Sequence, residues 1–203
     1  VIYSDDKVVD IVSDYTKDVY KPGDVVFMAE SVVAIMQNRA IKVSDVKPRF
    51  LAKTLSKFVF KNADNSGLVS PETMEMAFRE VGTPKMLFAS AASVVGKLFG
   101  RRGVFYKITG PKARDIDGPS PWAMPPYNEY ITLCPDKPEV VAKQIKEETG
   151  IPLAVVDIND RGGHVIGSSS KSLSNEDIVD ILRDNPLGQS AEQTPMGIIR
   201  EIK

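Results

Sequence analysis

Residues 153–170, LAVVDINDRGGHVIGSSS, decide how the chain is read. Leu153, Ala154, Val155 and Val156 form an apolar run of strand length. The run leads into a polar, acidic turn in which Asp157, Asn159 and Asp160 crowd one strand end. Gly162 and Gly163 let the backbone turn sharply, and Val165-Ile166-Gly167 begins the returning strand. Two carboxylates at a strand terminus, beside a flexible Gly-Gly, suit an oxygen-ligand metal site or a phosphate site. The plainer alternative is a hairpin whose Asp and Asn residues only make turn hydrogen bonds.

The chain has 203 residues, enough for one large domain or two small ones with cores of their own. Its 26 basic and 27 acidic residues nearly cancel to a net charge of -1, which offers no electrostatic argument for nucleic acid or an anionic membrane. Cys134 is the only cysteine, so no internal disulfide can form and a reducing compartment is favoured. No apolar run approaches the roughly 20 residues of a membrane helix. The chain begins at Val1 rather than Met, which leaves a removed targeting segment open. These features predict a soluble, cytoplasmic protein of mixed α/β class. It is expected to be one unit over 1–203, or two subdomains split by a Pro-rich loop at 109–128.

In chain order, residues 5–20 carry Val8, Val9, Ile11, Val12, Tyr15 and Val19 at helical spacing behind Asp5 and Asp6. Lys21-Pro22-Gly23-Asp24 breaks that helix ahead of a buried strand at 25–28. Glu30-Ser31 follows, either as a strand end offering N–H groups to a phosphate or as a plain helix cap. Residues 48–61 read as an amphipathic helix with Phe50, Leu51, Leu55, Phe58 and Val59 inward and Lys53, Lys57 and Lys61 outward. The loop 62–67 lacks the ligand spacing and closing Glu of a calcium loop. Ser70-Pro71-Glu72 starts a helix that ends at Gly82, and a small-residue-rich helix occupies 85–99. Residues 104–108 read as a strand after the basic turn Gly100-Arg101-Arg102-Gly103. The segment 109–128, with five prolines and Trp122, is the most irregular and contains the acidic pair Asp115 and Asp117. A strand at 129–133, a helix at 138–149 and a strand from 152 are compatible with parallel pairing through a crossover. Ser174 and Asp177 resemble a capping box, 187–190 form a polar turn, and 195–202 close the chain as a strand.

Asp115, Asp117, Asp157, Asp160 and Gln189 thus stand on separated loops, and convergence of such oxygens would suit a hard divalent ion. Without a metal, clustered carboxylates would repel one another. His164, the only histidine, is a candidate base or a structural residue. One Cys and one His leave no zinc spacing, and no standard phosphate loop is present.

The runs PGDVVFMAESVVAIMQNR, LAVVDINDRGGHVIGSS and LGQSAEQTPMGIIREI resemble, in order and spacing, the γ-glutamyl ligase family that adds glutamate to the deazaflavin coenzyme F-420. The resemblance implies a mixed α/β fold with mixed sheets in an intertwined homodimer. It also implies GTP, with ATP as the alternative, together with Mg2+ or Mn2+. The reaction it implies activates a small-molecule carboxylate as an acyl phosphate, which the amine of glutamate attacks; no nucleic acid or membrane takes part. By the same resemblance Asp117 matches the first metal-binding Asp, and Asp160 the second, with Asp157 its neighbour and competitor. Gln189 falls in the metal and nucleotide segment beside Gly188, and Glu30 and Ser31 match a nucleotide-contacting strand end. No catalytic residue is assigned. The chain departs from the family pattern in three places. A Lys expected after the first strand end is replaced at about Ile35. Residues 161–164, Arg-Gly-Gly-His, replace T-F-G-R-P-W-R, and Lys112-Ala113-Arg114-Asp115 replaces an Asn-Ala-Gly run. Arg101, Arg102 or Arg114 is then the candidate substitute for the Lys charge. The rival to a ligase is a non-catalytic relative that binds a nucleotide, small molecule or partner protein. A metal-dependent hydrolase is a third option.

Overall fold

The computed structural model describes residues 1–59, 67–159, 162–188 and 192–201. The first elements are α1 (Val8–Thr16), β1 (Val25–Ala29), α2 (Glu30–Met36) and β2 (Ala40–Lys42). Then come α3 (Phe50–Leu55), α4 (Pro71–Val81), α5 (Thr83–Leu98), α6 (Val104–Thr109) and α7 (Pro111–Arg114). The last are β3 (Tyr130–Thr132), α8 (Pro138–Thr149), β4 (Leu153–Asn159), β5 (Gly162–Ser168), α9 (Asn175–Leu182) and β6 (Met196–Ile199). The chain is therefore mixed α/β. It divides into two compact units, Val1–Arg39 with Pro135–Lys203, and Ala40–Cys134. The boundaries fall outside the loop 109–128, which lies within the second unit.

The first unit is built on a sheet in the order β5-β4-β1-β6. β1 runs parallel to β4 and antiparallel to β6, and β4 runs antiparallel to β5. Strands covered on both faces can be apolar throughout, and this explains why VVFM and LAVV carry no polar residue. Val26, Met28, Leu153 and Val155 pack with Val12 of α1, Val33 of α2 and Ile145 of α8. The alternate residues Val25, Phe27, Ala154 and Val156 pack with Ile178 and Leu182 of α9. Full burial of each large side chain here contributes about 1.5–3 kcal/mol. At the start of β1, Asp24 is clamped by Arg200, with Nε 2.9 Å from Oδ1 and Nη2 2.6 Å from Oδ2.

The second unit is a helical cluster with the β2–β3 ribbon. Leu68, Met74, Phe78, Met86, Ile116 and Ile131 are among its buried core. α4 opens on a capping box: the Thr73 N–H donates to Ser70 Oγ at 3.0 Å, and the Ser70 N–H returns to Thr73 Oγ1 at 3.3 Å. Glu75, 3% exposed, accepts from the Arg49 N–H and Nε and from Arg79 Nε at 2.9–3.2 Å. The Arg49 guanidinium also lies 5.3 Å from the Phe78 ring centroid, a cation–π contact.

Three expectations are corrected. Residues 104–108 are helix α6, not strand. Lys107 and Gly110 N–H groups donate to the Gly103 and Tyr106 carbonyls, and Phe105 and Tyr106 pack on the helical core. Tertiary packing overrides the β preference of Val, Phe, Tyr and Ile. Phe50 and Phe58 do not face inward; they are 79% and 75% exposed. α3 ends at Leu55 and continues as a 3-10 turn over Ser56–Phe58, so the helical period stops early. Finally, β3 does not join β4 across α8. It pairs antiparallel with β2, and the parallel partner of β4 is β1. Lys61 and most of the loop 62–67 lie outside the described residues.

Candidate functional site

In open α/β sheets, ligands gather outside the carboxyl ends of the parallel strands. β1 and β4 are such a pair here, with Ala29 opposite Val156. The residue after each is an acid, Glu30 opening α2 and Asp157 continuing β4. The register therefore brings two carboxylates to one end of the sheet.

β4 does not stop at Val156 but runs on through Asn159, which places Asp157 inside the strand. Leu153 to Val156 and Ile158 are buried, whereas the Asp157 side chain is 31% exposed. Asp157 pairs across the ladder with His164, whose Nδ1 is 3.7 Å from Oδ2. That separation is too long for a hydrogen bond and short enough for a charge contact once the imidazole is protonated. Gly162 and Gly163 are not a free turn, for both belong to β5. A Cβ on Gly163 would stand 2.2 Å from the Asp157 carbonyl oxygen, so the hairpin closes this tightly only with glycine there.

Glu30 is the first residue of α2 and only 7% exposed, at the end where the helix dipole favours a negative charge. Half-buried Ser31 follows it. Neither caps the helix: the cap position is Ala29, in extended conformation and without a side-chain bond. The Ala29 N–H donates to the Pro195 carbonyl at 2.9 Å, which brings the segment before β6 to the same sheet end. There the Thr194 N–H donates to the Gly188 carbonyl at 2.9 Å, and Thr194 Oγ1 donates to the Leu187 carbonyl. Gly188 is buried with φ +69°, and a Cβ would press into the Glu192 side chain at 2.6–2.7 Å. Only glycine adopts that backbone without strain.

Glu30, Ser31 and Asp157 thus stand at one end of the first unit's sheet, and the segment that follows Gly188 reaches that end through the Ala29–Pro195 hydrogen bond. Asp117 belongs to the second unit. Its backbone exchanges hydrogen bonds of 2.9 and 3.0 Å with Thr132, and the residue is exposed. Neighbouring Asp115 is buried against Arg114, with contacts of 2.6 and 3.2 Å, which occupies one of the arginines considered as substitute for the Lys. Ile35 is buried in α2. Asp160 and Gln189 lie outside the described residues.

The donor chemistry at Asp157 fits a divalent cation. Carboxylate oxygen is the ligand that Mg2+ and Mn2+ prefer. Residue patterns alone left His164 without an assigned role. Counting Gly162 and Gly163 as part of the returning strand would have paired it with Asp157.

Fold and site together define a mixed α/β protein with acidic groups at the ends of its parallel strands. The chain belongs to the F420-0:gamma-glutamyl ligase family, whose model matches residues 1–175. Glu30, Ser31, Asp117, Asp157 and Asp160 fall inside the match, while Gly188, Gln189 and the C-terminal run fall beyond it. No curated protein matches the chain.

Proposed function

We propose that the protein is a nucleotide- and metal-dependent γ-glutamyl ligase, forming an amide between a small-molecule carboxylate and the amine of L-glutamate. The family match over residues 1–175 carries this reading. In the reaction the γ-phosphate of GTP or ATP passes to the carboxylate, giving an acyl phosphate and the nucleoside diphosphate. The amine of glutamate then attacks the acyl carbon, and inorganic phosphate leaves as the amide forms. Glu30, Ser31, Gly188 and Gln189 are the proposed nucleotide contacts. Asp117, Asp157, Asp160 and Gln189 are the proposed ligands of Mg2+ or Mn2+. A bound divalent ion would neutralise the phosphate charge. The chain is taken to act as a homodimer, as the resemblance implies.

Isothermal titration with GTP or ATP tests this reading. Micromolar binding that needs Mn2+ and falls at least tenfold in Asp157→Asn is expected, and absence of metal-dependent binding at millimolar nucleotide would overturn it. The buried Ile35, where the ligase pattern has Lys, favours a second reading as a non-catalytic relative. That reading expects binding without turnover, and glutamate-dependent release of phosphate removes it.

A further inference from the structure

The one histidine of the chain stands across the ladder from a carboxylate. Asp157 and His164 are direct partners on an antiparallel pair, so their side chains leave the same face of the sheet. Alternation along β4 fixes which face that is. Leu153 and Val155 pack with residues of α1, α2 and α8, and Asp157 follows them in step. Helix α2, which Glu30 opens, covers that same face.

The backbone holds this pair in place. Beside it on the ladder Ile158 faces Gly163, which has no room for a Cβ next to the Asp157 carbonyl. Donors carried on paired strands keep their spacing better than donors on loops. His164 Nδ1 and Asp157 Oδ2 are 3.7 Å apart, and each side chain keeps about a third of its surface open to solvent. Two atoms each about 2.1 Å from one ion lie roughly 3.0 Å apart at a right angle and roughly 4.2 Å apart when opposed. The spacing in the hairpin falls inside that range, so one ion can take both atoms with the backbone as it stands. The nitrogen changes the choice of ion. Mg2+ takes oxygen ligands, whereas imidazole favours first-row transition ions, and of Mg2+ and Mn2+ only Mn2+ belongs to that row. One carboxylate and one imidazole leave the remaining positions to phosphate oxygens and water, as a nucleotide-bound ion requires.

We propose that His164 Nδ1 joins Asp157 as a ligand of the divalent ion, and that the site therefore prefers Mn2+ to Mg2+. The inference rests on the proposed metal site of the ligase and deepens it by naming the metal. His164 lies in 161–164, where the chain departs from the ligase pattern, so this ligand is the chain's own. A single histidine makes the test direct. The untagged full chain, with ordinary histidine and with histidine labelled in heavy nitrogen, is loaded with Mn2+ and read by electron spin-echo envelope modulation, with and without GTP. Expected is a nitrogen coupling to the bound ion that changes with the isotope. Competition should show Mn2+ held at least about tenfold more tightly than Mg2+. His164→Gln should lose about tenfold in Mn2+ affinity and hold Mg2+ affinity within about twofold, with the circular dichroism of the parent chain. Bound Mn2+ without the histidine coupling, or equal affinity for the two ions, overturns the proposal. So does the absence of Mn2+ binding at millimolar concentration, which leaves a plain ion pair. Histidine-coupled Mn2+ in a chain that binds no nucleotide keeps this inference and removes the ligase reading. Nucleotide-dependent Mn2+ binding without the coupling does the reverse.

Discussion

The sheet unit and the helical unit treat apolar residues in opposite ways. In β1 and β4 the apolar run is wholly enclosed, because helices cover both faces of the sheet. In α3 and α5 six of the nine large apolar side chains are exposed. A short strand without polar residues has one reading, burial. A helix that is apolar on every side has several, and burial is only one of them.

The largest effects are expected where the two units agree. Phe27→Ala in the sheet and Phe78→Ala in α4, at 1% and 2% exposure, should each cost about 3–5 kcal/mol in urea unfolding. Phe50→Ala and Phe58→Ala should stay within about 0.5 kcal/mol, and a loss near that of Phe78 would break the contrast. Next comes the clamp of each unit. Removing Arg49 leaves buried Glu75 with Arg79 alone, and Arg49→Ala should cost about 2–3 kcal/mol.

The same clamps predict acid sensitivity. The Arg200 hydrogen bond, opposed by burial, holds Asp24 below the usual carboxylate value. Burial pushes Glu75 up, but hydrogen bonds from Arg49 and Arg79 outweigh it and leave it lowered. A carboxylate with a depressed folded pKa takes up its proton more readily when unfolded. Its stabilisation is therefore full above the unfolded value and is lost as pH falls towards the folded one. Stability should be level from neutrality to about pH 5 and then decline, less steeply in Asp24→Asn. The smallest effects sharpen the comparison at helix starts. Ser70→Ala in one unit and Ser174→Ala in the other should each cost about 1 kcal/mol in thermal unfolding.

Local signals in the sequence carried much of this architecture. Pro138 and Gly150 bracket α8, and the Ser174–Asp177 pair starts α9 as its capping box predicts. What stayed hidden depends on partners far along the chain. The strand pattern in Val104 to Ile108 yields to packing against α5 and the helical core. Glu30 and Asp157 were legible as candidates but not as neighbours, since only the β1–β4 register brings them to one edge. A net charge of -1 likewise conceals the stretch between Glu80 and Asp115, whose charges all have one sign. Whole-chain averages cannot report where charge is placed.

The position of the helical unit in the chain has a consequence for synthesis. Val26 pairs with Leu153, so β1 leaves the ribosome long before its parallel neighbour exists. Contacts within Ala40–Cys134 can form in the meantime, and long-range parallel pairing is slow in any case. Val25–Ala29 must spend that interval as an unpaired apolar segment, open to chaperones and proteases, and nascent chains halted before Leu153 should be cleaved near it.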